Sequence, residues 1–179
     1  KLINNSKYAT FHKTPPQEHL GGRHNIIPQG NVLGGGTSIN AQVYMRGRPE
    51  DYNEWQDILR GNNDSLGWAW EDVFSYFKDM ENNTNINNSY HGKTGDLKVS
   101  NSLHVDQLTH DFVNTVQGLG IPLTNDFNGR EQKGVGLYQY MNNKGKRSSA
   151  AYAFIEPQKN NPHLNLKLQT KVERIIIEN

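Results

Sequence analysis

Apolar positions fall into short, separated runs, and their spacing predicts a mixed succession of helices and strands. Trp70, Val73, Phe74 and Phe77 recur at i, i+3, i+4 and i+7, one face of a helix. Val105, Leu108, Phe112, Val116 and Leu119 predict a second amphipathic helix, stopped at Gly118 or Gly120. Pro49, followed directly by Glu50 and Asp51, marks another helix start. Ser148 and Ser149 can cap a short helix running through Ile155 and stopped by Pro157. Leu97 and Val99 alternate as a short strand, and Ala41 to Arg46 alternates weakly. Leu164, Leu166 and Leu168, then Val172 to Ile177, read as two further strands. The stretches between are polar. Lys1 to Pro28 reads as irregular, Asn82 to Ser89 as an Asn-rich connector, Tyr90 to Gly95 as a turn and Pro122 to Gly136 as a loop. The fold class expected is α/β, in the mixed α+β sense. Loops this long in a compact domain are usually functional or line a ligand.

Composition narrows the classes. The 179 residues carry 19 Lys+Arg against 18 Asp+Glu, a balance without the basic surplus of a nucleic-acid footprint. The longest apolar run is Ala150 to Ile155, too short for a membrane span. With no Cys there is no disulfide framework, thiolate metal site or Cys nucleophile. Much of the polarity is amide: 23 residues are Asn, so the four Asn-x-Ser/Thr sites at Asn4, Asn63, Asn82 and Asn87 say little about secretion. The chain opens on Lys1 and closes on Arg174 to Glu178, which reads as a strand with no turn after it. It reads as a piece of a larger protein.

Candidate chemistry concentrates in Leu33 to Asn40. Gly34, Gly35 and Gly36 let backbone N–H groups approach an anion with no Cβ in the way. Thr37, Ser38 and Asn40 add hydroxyl and amide groups suited to a diphosphate or the polar edge of a cofactor. The competing reading is a tight turn that needs positive φ. The chain holds no GxGxxG unit between strand and helix, so a complete dinucleotide fold is not written here. His12, His19, His24, His91, His104, His110 and His163 show no metal-ligand spacing and read as surface or polar-network groups. Glu50-Asp51 and Glu71-Asp72 read as helix-start charges, and no Gly-x-Ser-x-Gly elbow signals a hydrolase serine.

Gly30-Asn-Val-Leu-Gly-Gly-Gly-Thr-Ser-Ile-Asn-Ala-Gln-Val-Tyr-Met-Arg-Gly-Arg-Pro-Glu-Asp-Tyr-Asn-Glu-Trp55 resembles the first signature of the glucose–methanol–choline (GMC) family of FAD-dependent oxidoreductases. Further motifs follow in order: Gly67-Trp68, Tyr76-Phe77-Lys78, Tyr90-His91-Gly92, Gly95, Gly120-Ile-Pro, Asp126-Phe-Asn-Gly129, Gly134 to Gln139, Arg147-Ser-Ser-Ala-Ala151 and Pro162-His-Leu164. The resemblance covers nearly the whole chain.

The resemblance implies roles. Gly34, Gly35, Gly36 and Thr37 would lie along the FAD diphosphate. Asn40, Ala41, Gln42 and Val43 would lie beside the flavin ring, and Val172 would touch the adenine. Residues 1–66 would be cradle and lid of the FAD-binding domain, 67–146 part of the substrate-binding domain, and 147–179 a return to the first. Ile39 stands where some members carry the His that bonds covalently to FAD, so a non-covalent cofactor is expected. Gly36 replaces a Ser, and Ala69 replaces a Ser or Thr that would cap the next helix. The parent reaction would be oxidation of an alcohol to an aldehyde or ketone, with oxygen or another electron acceptor. Its base would come from the family's carboxy-terminal His pair, which is not among these residues, so no catalytic residue is assigned here. Companion chains of the same protein would supply the missing parts. Three alternatives stay open: lyase or light-driven decarboxylase chemistry on the same scaffold, a non-catalytic fragment that needs its complementary chain, and a generic anion-binding module.

Overall fold

The computed structural model describes residues 5–61 and 67–177. The junction placed at 66/67, and Asn4 and Asn63, fall on or against residues outside that range. Mixed α/β character holds throughout. β1 (Ala9–Lys13) pairs antiparallel with β2 (Ile26–Gly30), Ala9 opposite Gly30. The expected irregular start is thus partly a hairpin. Its pairing is carried by backbone rather than by an alternating apolar face, since only Ala9 is buried and Phe11 and Ile27 are exposed.

α1 (Pro49–Gly61) begins where Pro49 and its acids place it, with Asp51 Oδ2 accepting from the Arg48 N–H at 2.9 Å. α2 (Trp70–Met80) has no capping bond from Ala69. Side chains of α1 satisfy part of its N-terminus instead, with Gln56 Oε1 accepting from the Trp68 N–H and Asn53 Oδ1 from the Trp70 N–H. The aromatic stripe of α2 is half-buried. Trp70 stacks on Phe74 at 5.0 Å, and Tyr52 of α1 meets Trp70 and Phe77.

β3 (Glu81–Asn83) pairs parallel with β4 (Leu97–Asn101), which pairs antiparallel with β5 (Gln139–Tyr140). The Asn-rich connector therefore begins as a buried strand, because Asn83 spends its polar groups inside a hydrogen-bond network. α3 (Gln107–Gly118) is capped by Asp106, whose Oδ1 accepts from the Thr109 N–H. The helix forms as its spacing predicts, but Val113 is its buried residue while Leu108 and Phe112 face outward. Leu119 is exposed as well, while Val105 and Val116 of the same stripe are half-buried.

β6 (Asn142–Asn143) and β7 (Lys146–Arg147) form a tight hairpin. A single π turn over Ala151–Ile155 follows, with Ser149 Oγ accepting from the Tyr152 N–H. The apolar core is small: Tyr44, Leu97, Val99 and Ala153, flanked by Met80, Met141 and Phe154. The strands expected over Leu164 to Leu168 and Val172 to Ile177 are not formed. A strand needs a neighbour to take up its N–H and C=O groups. No described residue pairs with these, and Ile175 and Ile177 lie more than four-fifths exposed.

Candidate functional site

The Gly-rich loop leaves β2 and closes as a 3-10 turn over Gly35–Ser38. Gly34 and Gly35 sit at φ +87° and +54°, the left-handed region that side chains disfavour. A Cβ on Gly34 would lie 2.5 Å from Ser38 Oγ, whereas Cβ atoms on Gly35 and Gly36 would meet nothing within 4 Å. The turn is therefore sealed at Gly34 and open at Gly35 and Gly36, where a flat or charged group can come against bare backbone. Its shape is held from within: Thr37 Oγ1 donates to the Gly34 carbonyl, and Ser38 Oγ to that of Leu33. Ile39 is buried beneath it.

A second segment clasps this turn. The Ala150 N–H donates to Thr37 Oγ1 at 2.9 Å. Arg147 Nη1 donates to the Thr37 carbonyl at 3.0 Å and to Asn40 Oδ1 at 2.8 Å. Beyond Asn40 the chain runs extended alongside β5, through the bridge Val43–Tyr140 and the bond from the Tyr44 N–H to the Gln139 carbonyl. Gln42 adopts φ +65°, an uncommon conformation for a side chain of its size. Three bonds hold it: its N–H to Asn40 Oδ1, its carbonyl from the Met141 N–H and its Nε2 to the Met141 carbonyl. Positive φ in a residue other than Gly concentrates at functional sites.

The extended segment ends in buried charges that connect it to β3 and the loop after α3. Arg46 Nη2 pairs with Glu81 Oε2, and its Nη1 donates to the Tyr90 carbonyl at 2.7 Å. His91 pairs through Nδ1 with Glu81 Oε1 at 2.7 Å and through Nε2 with Asp126 at 3.0 Å. Asn128 closes the ring, accepting from the Arg46 N–H and donating to the Tyr44 carbonyl. Burial alone would pull the His91 pKa down. The hydrogen bonds and charges of Asp126 and Glu81 outweigh it and push the value up to about 9. Burial opposes ionisation of Glu81 and Asp126 too, but bonding to His91 holds both below the usual carboxylate range. The set is neutral: two cations against two anions. His91 is thus a protonated polar-network group with both ring nitrogens engaged, unsuited to take a proton near neutral pH.

The structure gathers Gly34, Gly35, Gly36, Thr37, Asn40, Ala41, Gln42 and Val43 on one continuous run tied to residues 139–151. Val172 stands apart, 76% exposed, with no hydrogen bond to the loop among the described residues. Sequence reasoning read His91 as a surface or polar-network group but missed its partners, and it assigned no chemical role to Arg46, Glu81, Asp126 or Arg147. The partners of these residues lie 10 to 110 positions away, and spacing does not reveal that.

The chain is similar to several known proteins. An "Alcohol dehydrogenase [acceptor]" of Pseudomonas putida is 36% identical over 99% of this chain and 32% of its own length. An "Oxygen-dependent choline dehydrogenase" of Brucella anthropi is 35% identical over 98% and 31%. Pyridoxine 4-oxidase from Mesorbium loti superposes with a TM-score of 0.76 at 28% identity, covering 86% of this chain and 30% of that one. An FAD-dependent oxidoreductase from Chaetomium thermophilum also reaches 0.76, at 25% identity, over 87% and 28%. The chain spans about a third of the length of the curated relatives it matches. The GMC oxidoreductase family model matches residues 6–179, which takes in the open glycine turn, its clasp and the buried charges. The chain belongs to the GMC oxidoreductase family.

Proposed function

We propose that this chain forms the diphosphate and flavin-edge part of an FAD site in an enzyme that oxidises a primary or secondary alcohol. The observation that carries the reading is the glycine turn. Its backbone is bare at Gly35 and Gly36, Gly34 and Gly35 are left-handed, and the Asn40 N–H donates to the Gly36 carbonyl at 2.9 Å. These residues fit the cofactor: Gly34 to Thr37 for the diphosphate, Asn40 to Val43 for the flavin edge. When bound there, FAD supplies the hydride acceptor, at flavin N5.

The chain's own residues bind and orient. Glycines admit the anion, Thr37 holds the turn, and the pinned Gln42 backbone sets the direction of residues 41–43. Binding is non-covalent, supported by Ile39, whose buried hydrocarbon has no group able to bond to the flavin. We infer that residues 1–66 and 147–179 serve the cofactor and 67–146 the substrate side. The clasp from Arg147 and Ala150 onto Thr37 supports the first pairing. The base that takes the alcohol proton comes from outside these residues, and oxygen or another acceptor removes the electrons.

A native mass spectrum of the purified protein incubated with FAD tests this. A species heavier by one FAD, released on denaturation, is expected, with or without companion polypeptides. A protein that takes up inorganic phosphate but no FAD would overturn the reading. Alcohol turnover by these 179 residues alone would overturn the placement of the base.

A further inference from the structure

Arg147 has a position that cofactor binding does not by itself explain. It closes the β6–β7 hairpin and reaches back across more than 100 residues of sequence to the glycine turn. One guanidinium nitrogen bridges two acceptors, the Thr37 carbonyl and Asn40 Oδ1. Both acceptors are neutral, and among the described residues no carboxylate forms an ion pair with Arg147. A half-buried guanidinium without a counter-ion keeps its charge for an anion at the same site.

Asn40 carries the second observation. Its Oδ1 accepts twice, from Arg147 Nη1 and from the Gln42 N–H. Its oxygen is committed inward, and its exposed amide nitrogen makes no hydrogen bond to the described residues. A carboxamide free to flip would present oxygen or nitrogen alike. With two donors on its oxygen, it presents N–H only.

We propose that Arg147 is a positioning residue of the flavin site. It locks the Asn40 amide with its nitrogen outward, ties it to the Gly34–Thr37 turn, and lends positive charge to the diphosphate on that turn. This rests on the FAD reading above. The flavin edge beside Asn40 is then met by a hydrogen-bond donor, while the charge stays one residue cluster away. Losing the clasp would free both ends of the loop at once, so affinity and flavin electronics would change together.

The test uses apoprotein prepared from the FAD-loaded enzyme and titrated with FAD by fluorescence quenching, with the apoprotein melting temperature measured in parallel. Arg147→Met is expected to weaken FAD binding roughly ten- to hundredfold, the scale of losing hydrogen bonds to a charged group. The apoprotein melting temperature should shift little. Arg147→Lys keeps the charge without the fork and should recover part of the affinity. Asn40→Asp keeps an oxygen for Arg147 but removes the outward donor; it should shift the flavin absorption bands and weaken binding. Wild-type affinity in Arg147→Met, or a loss matched by a fall in melting temperature, would overturn the proposal. So would Arg147→Lys behaving as Arg147→Met does, for the charge. Failure of the wild-type protein to bind FAD would overturn the underlying reading instead.

Discussion

Raising the pH should unlock the buried charges around His91. Its side chain is fully buried between Glu81 and Asp126. Its pKa is about 9 in the fold against the ordinary value of 6.5. The folded state binds the proton more tightly, so the stabilisation is fully present below pH 6.5 and lost as pH rises through 9. A rise of this size corresponds to about 3 kcal/mol, at roughly 1.4 kcal/mol per unit. The three Trp residues, Trp55, Trp68 and Trp70, report on α1 and α2, which pack against Arg46 through Phe74 and Phe77. Urea unfolding followed by Trp fluorescence, from about pH 6 to 9.5, therefore reads the network. The upper limit stays below ordinary Tyr ionisation near pH 10. Wild-type protein is compared with His91→Gln, which keeps hydrogen-bonding groups but cannot charge. The stability difference between them should shrink by about 3 kcal/mol across that range. A difference independent of pH would refute a charged His91.

Other substitutions probe the same framework. Gly92→Ala would place a Cβ 1.8 Å from the Lys78 carbonyl oxygen, so a loss of about 2 to 3 kcal/mol is expected in urea unfolding; a change within experimental error would contradict the packing of the turn onto α2. Thr37→Val removes the acceptor of the Ala150 N–H. It should cost about 1 to 3 kcal/mol and lower FAD retention, and Thr37→Ser should restore both. Gly34→Ala imposes a Cβ on φ +87° against Ser38 Oγ. FAD affinity should fall with the turn's geometry, and unchanged affinity by equilibrium titration would show that this turn does not hold the cofactor.

What the sequence made legible was local. Pro49 with its acids, the i, i+3, i+4 stripe of α2 and the Gly118 stop of α3 act within one helical turn, and the structure contains each helix. The glycine turn was legible for the same reason, since Gly is strongly favoured where φ is positive, as at Gly34 and Gly35. Burial was less readable. Leu108 and Phe112 carry the right period, yet period does not say whether any surface exists to cover them. Val172 to Ile177 shows the limit for strands, where apolar residues in sequence do not provide a pairing partner. Most hidden were the charges. Arg46, Glu81, His91 and Asp126 are ordinary one by one, and only the fold brings them within hydrogen-bond distance. Asn83 was read as part of a polar connector, yet it donates to Glu81 and Gln139 inside the sheet. Polar composition does not separate a solvated amide from a satisfied buried one.

Placing the glycine turn in an FAD site that serves alcohol oxidation has a consequence visible in the flavin itself. The purified full-length enzyme that contains these residues, loaded with FAD, is mixed with alcohols without oxygen while the visible absorption band of the oxidised flavin is followed. At least one primary or secondary alcohol should bleach the band, and admitting oxygen or a dye acceptor should restore it. A protein that carries no flavin, or one whose flavin no alcohol reduces, would contradict that placement.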